Sequence, residues 1–119
     1  VPGGEPRQIG VVQALANHDP DVDAIYRLTF PPGGLPFNFE GGATTREREE
    51  GGLKVIPPAA FTPYNAQATL HFPPAFWGML LPVTVHGRVS DIWRSYFTQA
   101  LLPLTGALVA FAPAWVEQV

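Results

Sequence analysis

An α/β fold is predicted for this 119-residue chain from three observations. Short apolar stretches of strand length alternate with stretches of helical periodicity. Fourteen prolines and twelve glycines separate these stretches without forming a repeat. Finally, the run from Ala107 to Phe111 is apolar throughout, as a strand covered on both faces requires. At this length the chain is at most one domain with a modest core.

The elements follow in order. After an irregular entry, Ile9, Val12, Leu15 and Ala16 fall at helical spacing and predict a short amphipathic helix ending near Asn17. Asp19, Pro20 and Asp21 form turn chemistry, and Ala24 to Phe30, rich in β-branched and aromatic residues, predicts a strand. Residues 31–52 form a long mobile loop, with its glycines and the charged run Arg46 to Glu50. Short strands are predicted from Leu53 to Ile56 and from Ala68 to Phe72, joined by the irregular Phe61 to Asn65. From Pro74 to Leu81 a short helix is predicted, with Pro74 in the first turn and Pro82 as its stop. Ser90 or Asp91 caps the next helix, whose apolar set is Ile92, Trp93, Tyr96, Phe97, Ala100 and Leu101, ended by Pro103 and Gly106.

Composition excludes several functions. A net charge of −3 opposes non-specific nucleic-acid binding, which needs a basic footprint. Without cysteine there is neither a disulfide framework nor a thiolate metal site. No basic segment followed by an apolar run marks a signal peptide, and the apolar stretch from Leu101 to Trp115 is too short and broken to span a bilayer. The chain reads as a piece of something larger.

Asp19, Asp21 and Asp23 share the D-x-D-x-D start of a calcium loop, but Ala24 and Phe30 stand where glycine and an acid are needed. A capped turn accounts for Asp19. Asp21 and Asp23, two apart, share one face if extended and are candidate oxygen ligands for a divalent cation carrying a diphosphate. His18, His71 and His86 are dispersed and show no metal-ligand spacing. No hydrolase elbow, P-loop or dinucleotide fingerprint occurs.

The segment from Arg88 to Phe97 concentrates the chemistry. Asp91 stands at the head of a helix, where free N–H groups and partial positive charge favour an anion. Arg88 and Arg94 suit bidentate anion recognition, and Trp93 offers an aromatic platform for a sugar face. The alternatives are an ordinary helix cap for Asp91 and core roles for Trp77 and Trp93.

Three phrases carry a resemblance: Asp19 to Thr29; Phe61 to Leu70 followed by Ala75-Phe-Trp-Gly78; and Leu81 to Val85 with Gly87 to Arg94. Together they resemble the STELLO family of plant glycosyltransferases, with fainter similarity to the reversibly glycosylated polypeptides, the UDP-arabinopyranose mutases. The resemblance implies the C-terminal, acceptor-side part of a GT-A type domain, so residues 1–119 are expected to be a single partial domain. It implies a UDP-sugar donor, a glycan acceptor and manganese or magnesium, bound mostly by an upstream half. Golgi residence through an anchor outside this chain, and association with a polysaccharide-synthase complex in cell-wall synthesis, are also implied. By the resemblance Asp91 becomes the expected catalytic carboxylate near the acceptor, with Asn65 in the adjoining acceptor loop. Arg88, Arg94, Trp93 and Trp77 stay the substrate-binding candidates by their chemistry. Asp21 and Asp23 stay metal candidates by theirs, although the resemblance places their segment after the family's metal motif. The rival expectation is a non-catalytic interaction domain.

Overall fold

The computed structural model describes residues 8–18, 28–29 and 52–118. Among these, the elements run β1 (Gln8–His18), β2 (Lys54–Val55), β3 (Thr69–His71), a 3-10 helix (Pro73–Met79), a 3-10 turn (Gly87–Val89), α1 (Ser90–Thr105) and β4 (Ala107–Gln118). The strands form one mixed sheet in the order β2-β4-β1-β3. Central β1 and β4 are parallel, and each carries a short antiparallel edge strand, β3 on β1 and β2 on β4. Parallel neighbours need a crossover, and α1 supplies its last leg, feeding straight into β4. The predicted α/β class is observed.

β1 is a correction. The residues expected to form a short amphipathic helix, Ile9 to Asn17, form a central strand instead. Val11 joins a cluster with Tyr64, Ala75, Leu102, Ala107 and Val109, whereas Val12 and Ala14 join Ala110 and Ala112 in a second cluster. Consecutive apolar residues thus serve the two faces of a sheet, and the helical spacing is a subset of that run. The β-branched pair Val11 and Val12 favours the extended form.

β4 matches its prediction and extends it. Ala107 and Val109 sit in the first cluster and Ala110 and Ala112 in the second, so both faces are covered. Register against β1 slips between Ala14, opposite Ala112, and Ala16, opposite Val116. Pro113 falls inside that slip, where no ladder N–H is required. A second slip lies between Ile9 and Val11 and contains Gly10. There a Cβ would stand 2.9 Å from the Ala107 Cβ and 3.1 Å from the Ala75 Cβ. Glycine lets β1 approach β4 and the 3-10 helix this closely.

The helix predicted from Pro74 to Leu81 is a 3-10 helix with proline in its first turn, ending before Pro82. It packs on α1 through Gly78, where an added Cβ would stand 2.6 Å from Thr98 Cγ2. Thr98 Oγ1 donates to the Gly78 carbonyl at 3.2 Å. α1 runs through Pro103 and ends at Gly106, whose left-handed φ of 73° lets its N–H return to the Leu102 and Pro103 carbonyls. Its N-cap is Val89, which makes no side-chain capping bond. The expected caps act otherwise: Ser90 Oγ donates to the Gly87 carbonyl, and Asp91 lies in the first turn. The preceding 3-10 turn continues directly into α1 and takes over the role of a capping side chain.

The predicted strands at 53–56 and 68–72 appear as β2 and β3. Of the strand predicted from Ala24 to Phe30, only Leu28 and Thr29 are described, and both are helical. Asp19, Asp21, Asp23 and residues 31–51 lie outside the described residues. Among the described residues no helix is long and apolar enough to cross a membrane.

Replacing Gly10 by alanine should destabilise the fold by about 1–3 kcal/mol through overpacking. Gly87→Ala, where a Cβ meets nothing within 4 Å, should change stability by no more than about 0.5 kcal/mol. Urea midpoints of the two variants check the contrast; equal midpoints would show that the β1 approach is slack.

Candidate functional site

The irregular residues 61–67 carry the chemistry-bearing phrase, and three side chains from two elements hold them. From β1, Gln13 Oε1 accepts the Asn65 N–H at 3.1 Å and the Thr69 hydroxyl at 2.9 Å, while Nε2 donates to the Ala14 and Ala68 carbonyls. Both donor and both acceptor positions of this buried amide are therefore used. From α1, Gln99 Oε1 accepts the Thr62 N–H at 2.9 Å and Nε2 donates to the Thr62 carbonyl at 2.7 Å. In the first turn of α1, Asp91 Oδ2 accepts the Ala66 N–H at 2.9 Å and Oδ1 the Ile92 N–H at 3.0 Å. Asn65 Oδ1 accepts the Gln67 N–H, tightening the turn. Asp91 and Asn65, paired in the sequence reading, are neighbours in the structure.

Arg94 does not lie where the sequence suggests. It points inward and is only 7% exposed, on the face of α1 that also buries Ser95, Thr98, Gln99 and Leu102. Its guanidinium carbon lies 6.0 Å from the centre of the Tyr64 ring. Tyr64 meets His71 edge-on at 6.1 Å between ring centres. Burial pushes the Tyr64 phenol above its ordinary value, against smaller downward pulls from the Thr98 hydroxyl and Arg94. Thr98 lies beside that phenol, yet no well-formed hydrogen bond reaches the Tyr64 oxygen. His71 is held below its ordinary value, first by burial and then by the Arg94 charge.

The other face of α1 is the second correction. Trp93, Tyr96, Phe97 and Leu101, from the apolar set that helical spacing marks as the face to be covered, are 41–55% exposed, and Leu104 beyond them is 74% exposed. Tyr96 stacks on Phe61 and Trp93 tilts against Phe97, two exposed aromatic pairs on this face. Val89, Ile92, Trp93 and Tyr96 line an open apolar depression on the first two turns of α1, the segment that carries Asp91. Trp77 is partly exposed on the 3-10 helix, its Nε1 donating to the Pro74 carbonyl. Arg88 is exposed on the turn before α1, where its backbone N–H donates to His86 Nδ1.

The structure thus brings together Asp91, Asn65 and Trp93, leaves Arg88 outside on the same helix approach, and turns Arg94 beneath them. Gln13, Gln99, Tyr64 and His71 were missed as members of this constellation. A lone glutamine inside the apolar run 9–16 is the signal that marks Gln13 as a buried tether. No comparable signal marks the others. Among the described residues no group of three or more His, Asp or Glu side chains converges.

Two curated plant relatives, both from Arabidopsis thaliana, match most of the chain. "Probable glycosyltransferase STELLO2" is 34% identical over 108 residues, covering 91% of this chain and 13% of that protein. "Probable glycosyltransferase STELLO1" is 33% identical over 103 residues, covering 87% of this chain and 13% of that protein. The chain therefore spans 13% of the length of the curated relatives it matches. No family model matches, and no solved structure matches.

Two outcomes test this geometry. Because the folded state disfavours protonated His71, its contribution to stability is complete above 6.5 and fades as pH falls below that value. Denaturation midpoints of wild type should drop in that window more than those of His71→Gln; parallel curves would remove His71 from the buried cluster. Asp91→Ala should speed hydrogen exchange at the Ala66 amide and cost about 1 kcal/mol. Unchanged exchange there would mean that the carboxylate does not hold the loop.

Proposed function

This chain belongs to the STELLO family, and we propose that it forms the acceptor-side part of a nucleotide-sugar-dependent glycosyltransferase domain of the GT-A type. The supporting observation is the position of Asp91. It is a half-buried carboxylate at the head of α1, with an open apolar depression starting at the next residue. Its two backbone bonds fix the orientation of the group, and each carboxylate oxygen retains capacity for a further donor. An acceptor hydroxyl approaching along the aromatic surface meets a pre-oriented acceptor of its proton.

In this reading Asp91 acts as general base if configuration inverts, or orients the acceptor if it is retained. Trp93, Tyr96 and Trp77 present apolar faces to the sugar, and Asn65 lines the acceptor loop beside Asp91. Exposed Arg88 supplies positive charge toward the anionic leaving group, the electrostatic part of the catalysis. A manganese or magnesium ion would be held by residues beyond those described, including Asp21 and Asp23, and would offset charge on the departing diphosphate. Golgi residence, with an anchor outside these residues, is part of the same proposal.

A second reading is a non-catalytic interaction domain bound to a polysaccharide-synthase complex. The exposed aromatic face of α1 favours it, because apolar patches of this kind commonly mark contact surfaces. The readings separate in one assay of the full-length protein, following UDP release from UDP-sugars with glycan acceptors. Asp91→Asn should lower turnover at least about a hundredfold while leaving the circular-dichroism spectrum unchanged. Full turnover in that variant refutes the catalytic role. Loss of partner association in Phe97→Asp with turnover intact would support the second reading.

A further inference from the structure

The guanidinium of Arg94 is a buried cation whose best recognition edge is unused. Nε and Nη2, both shielded from solvent, have no hydrogen-bond partner. Those two nitrogens form the side of the guanidinium that meets a planar oxyanion through two parallel bonds. Beside it, the Tyr64 hydroxyl and His71 Nε2 are also buried and unpartnered. The ring contacts tie the three side chains into one cluster where α1, residues 61–67 and β3 meet. Leaving such a charge unpaired in an interior costs several kcal/mol, and each orphaned polar atom adds to that cost. Elsewhere in this layer the polar side chains are well served: Gln13, Gln99, Ser95 and Thr98 all have partners. The deficit is local: Arg94 offers only protons, and the Tyr64 hydroxyl and His71 Nε2, in its protonated tautomer, can each add one.

We propose that Arg94, Tyr64 and His71 form a binding site for an oxyanion group, phosphoryl or carboxylate, with the Arg94 edge as its bidentate anchor. The proposal deepens the glycosyltransferase reading, on which it rests for the biological source of the group. The donor set itself comes from the cluster. Entry requires part of the shell to yield, and β3, three residues long and at the sheet edge, is its least supported wall. A cation finds no complement beside the Arg94 charge.

Inorganic phosphate, pyrophosphate and acetate, each titrated into the full chain against sodium chloride at matched ionic strength, provide the test. Calorimetry and thermal unfolding report binding without any transfer reaction. At least one oxyanion should raise the Tm of wild type with saturation, and chloride should not. Arg94→Lys keeps the charge but loses the paired edge, so affinity should fall about tenfold or more. Tyr64→Phe guards against a folding defect: removing an unpartnered hydroxyl should leave the unliganded Tm equal or higher, yet weaken oxyanion binding severalfold. A response to the phosphates alone assigns a phosphoryl group, and a response to acetate alone assigns a carboxylate. No saturable response from any of the three, or equal responses in wild type and both variants, overturns the proposal. Because no turnover is measured, failure here is distinct from failure of the Asp91 assay.

Discussion

The side-chain amide of Gln13 is the constraint on which the candidate site depends. It sits in the middle of the central strand β1, 6% exposed, with two bonds accepted and two donated. An amide buried there without partners would cost about 1–3 kcal/mol, so the backbone of Asn65 and Ala68 must come to it. That requirement draws residues 61–67 over the edge of the sheet. Once there, the segment presents the Thr62 backbone to Gln99 and the Ala66 N–H to Asp91. The acid singled out by chemistry is therefore oriented by a chain of contacts that begins in the sheet.

The same requirement explains why α1 is polar inside and aromatic outside. Its inner face does not meet a smooth apolar sheet alone. It also meets irregular backbone, namely the Thr62 peptide and the Gly78 carbonyl, whose polar groups need partners when covered. Gln99 and Thr98 satisfy them, with Leu102 providing the apolar contact to the sheet cluster. Glycine at 78 lets the 3-10 helix approach closely enough for Thr98 to reach it. Arg94 lies on this polar face by helical geometry, and Trp93, one residue away, is carried outward.

The outward face gives both functional readings their physical content. A row of aromatic and aliphatic side chains beside an oriented carboxylate suits the apolar face and hydroxyls of a saccharide. It also suits a protein surface of matching shape. Asp91 tethers residues 65–67 in either reading, so the two differ in whether its carboxylate also takes the proton of an acceptor hydroxyl.

Much of the fold was legible in the chain itself. β2, β3, β4, the proline-led 3-10 helix and α1 follow from apolar runs, β-branched residues and the punctuation of Pro74, Pro82 and Gly106, all of which are local preferences. The kinship and the proximity of Asp91 to Asn65 were legible too, since both rest on phrases of characteristic residues. Only the tertiary structure decided that Ile9 to Asn17 is a strand, that the aromatic stripe of α1 faces out, and that Arg94 lies beneath Tyr64. Periodicity identifies two faces of a helix but not which one is covered. That choice belongs to the surface opposite, and here the surface is backbone that needs hydrogen bonds.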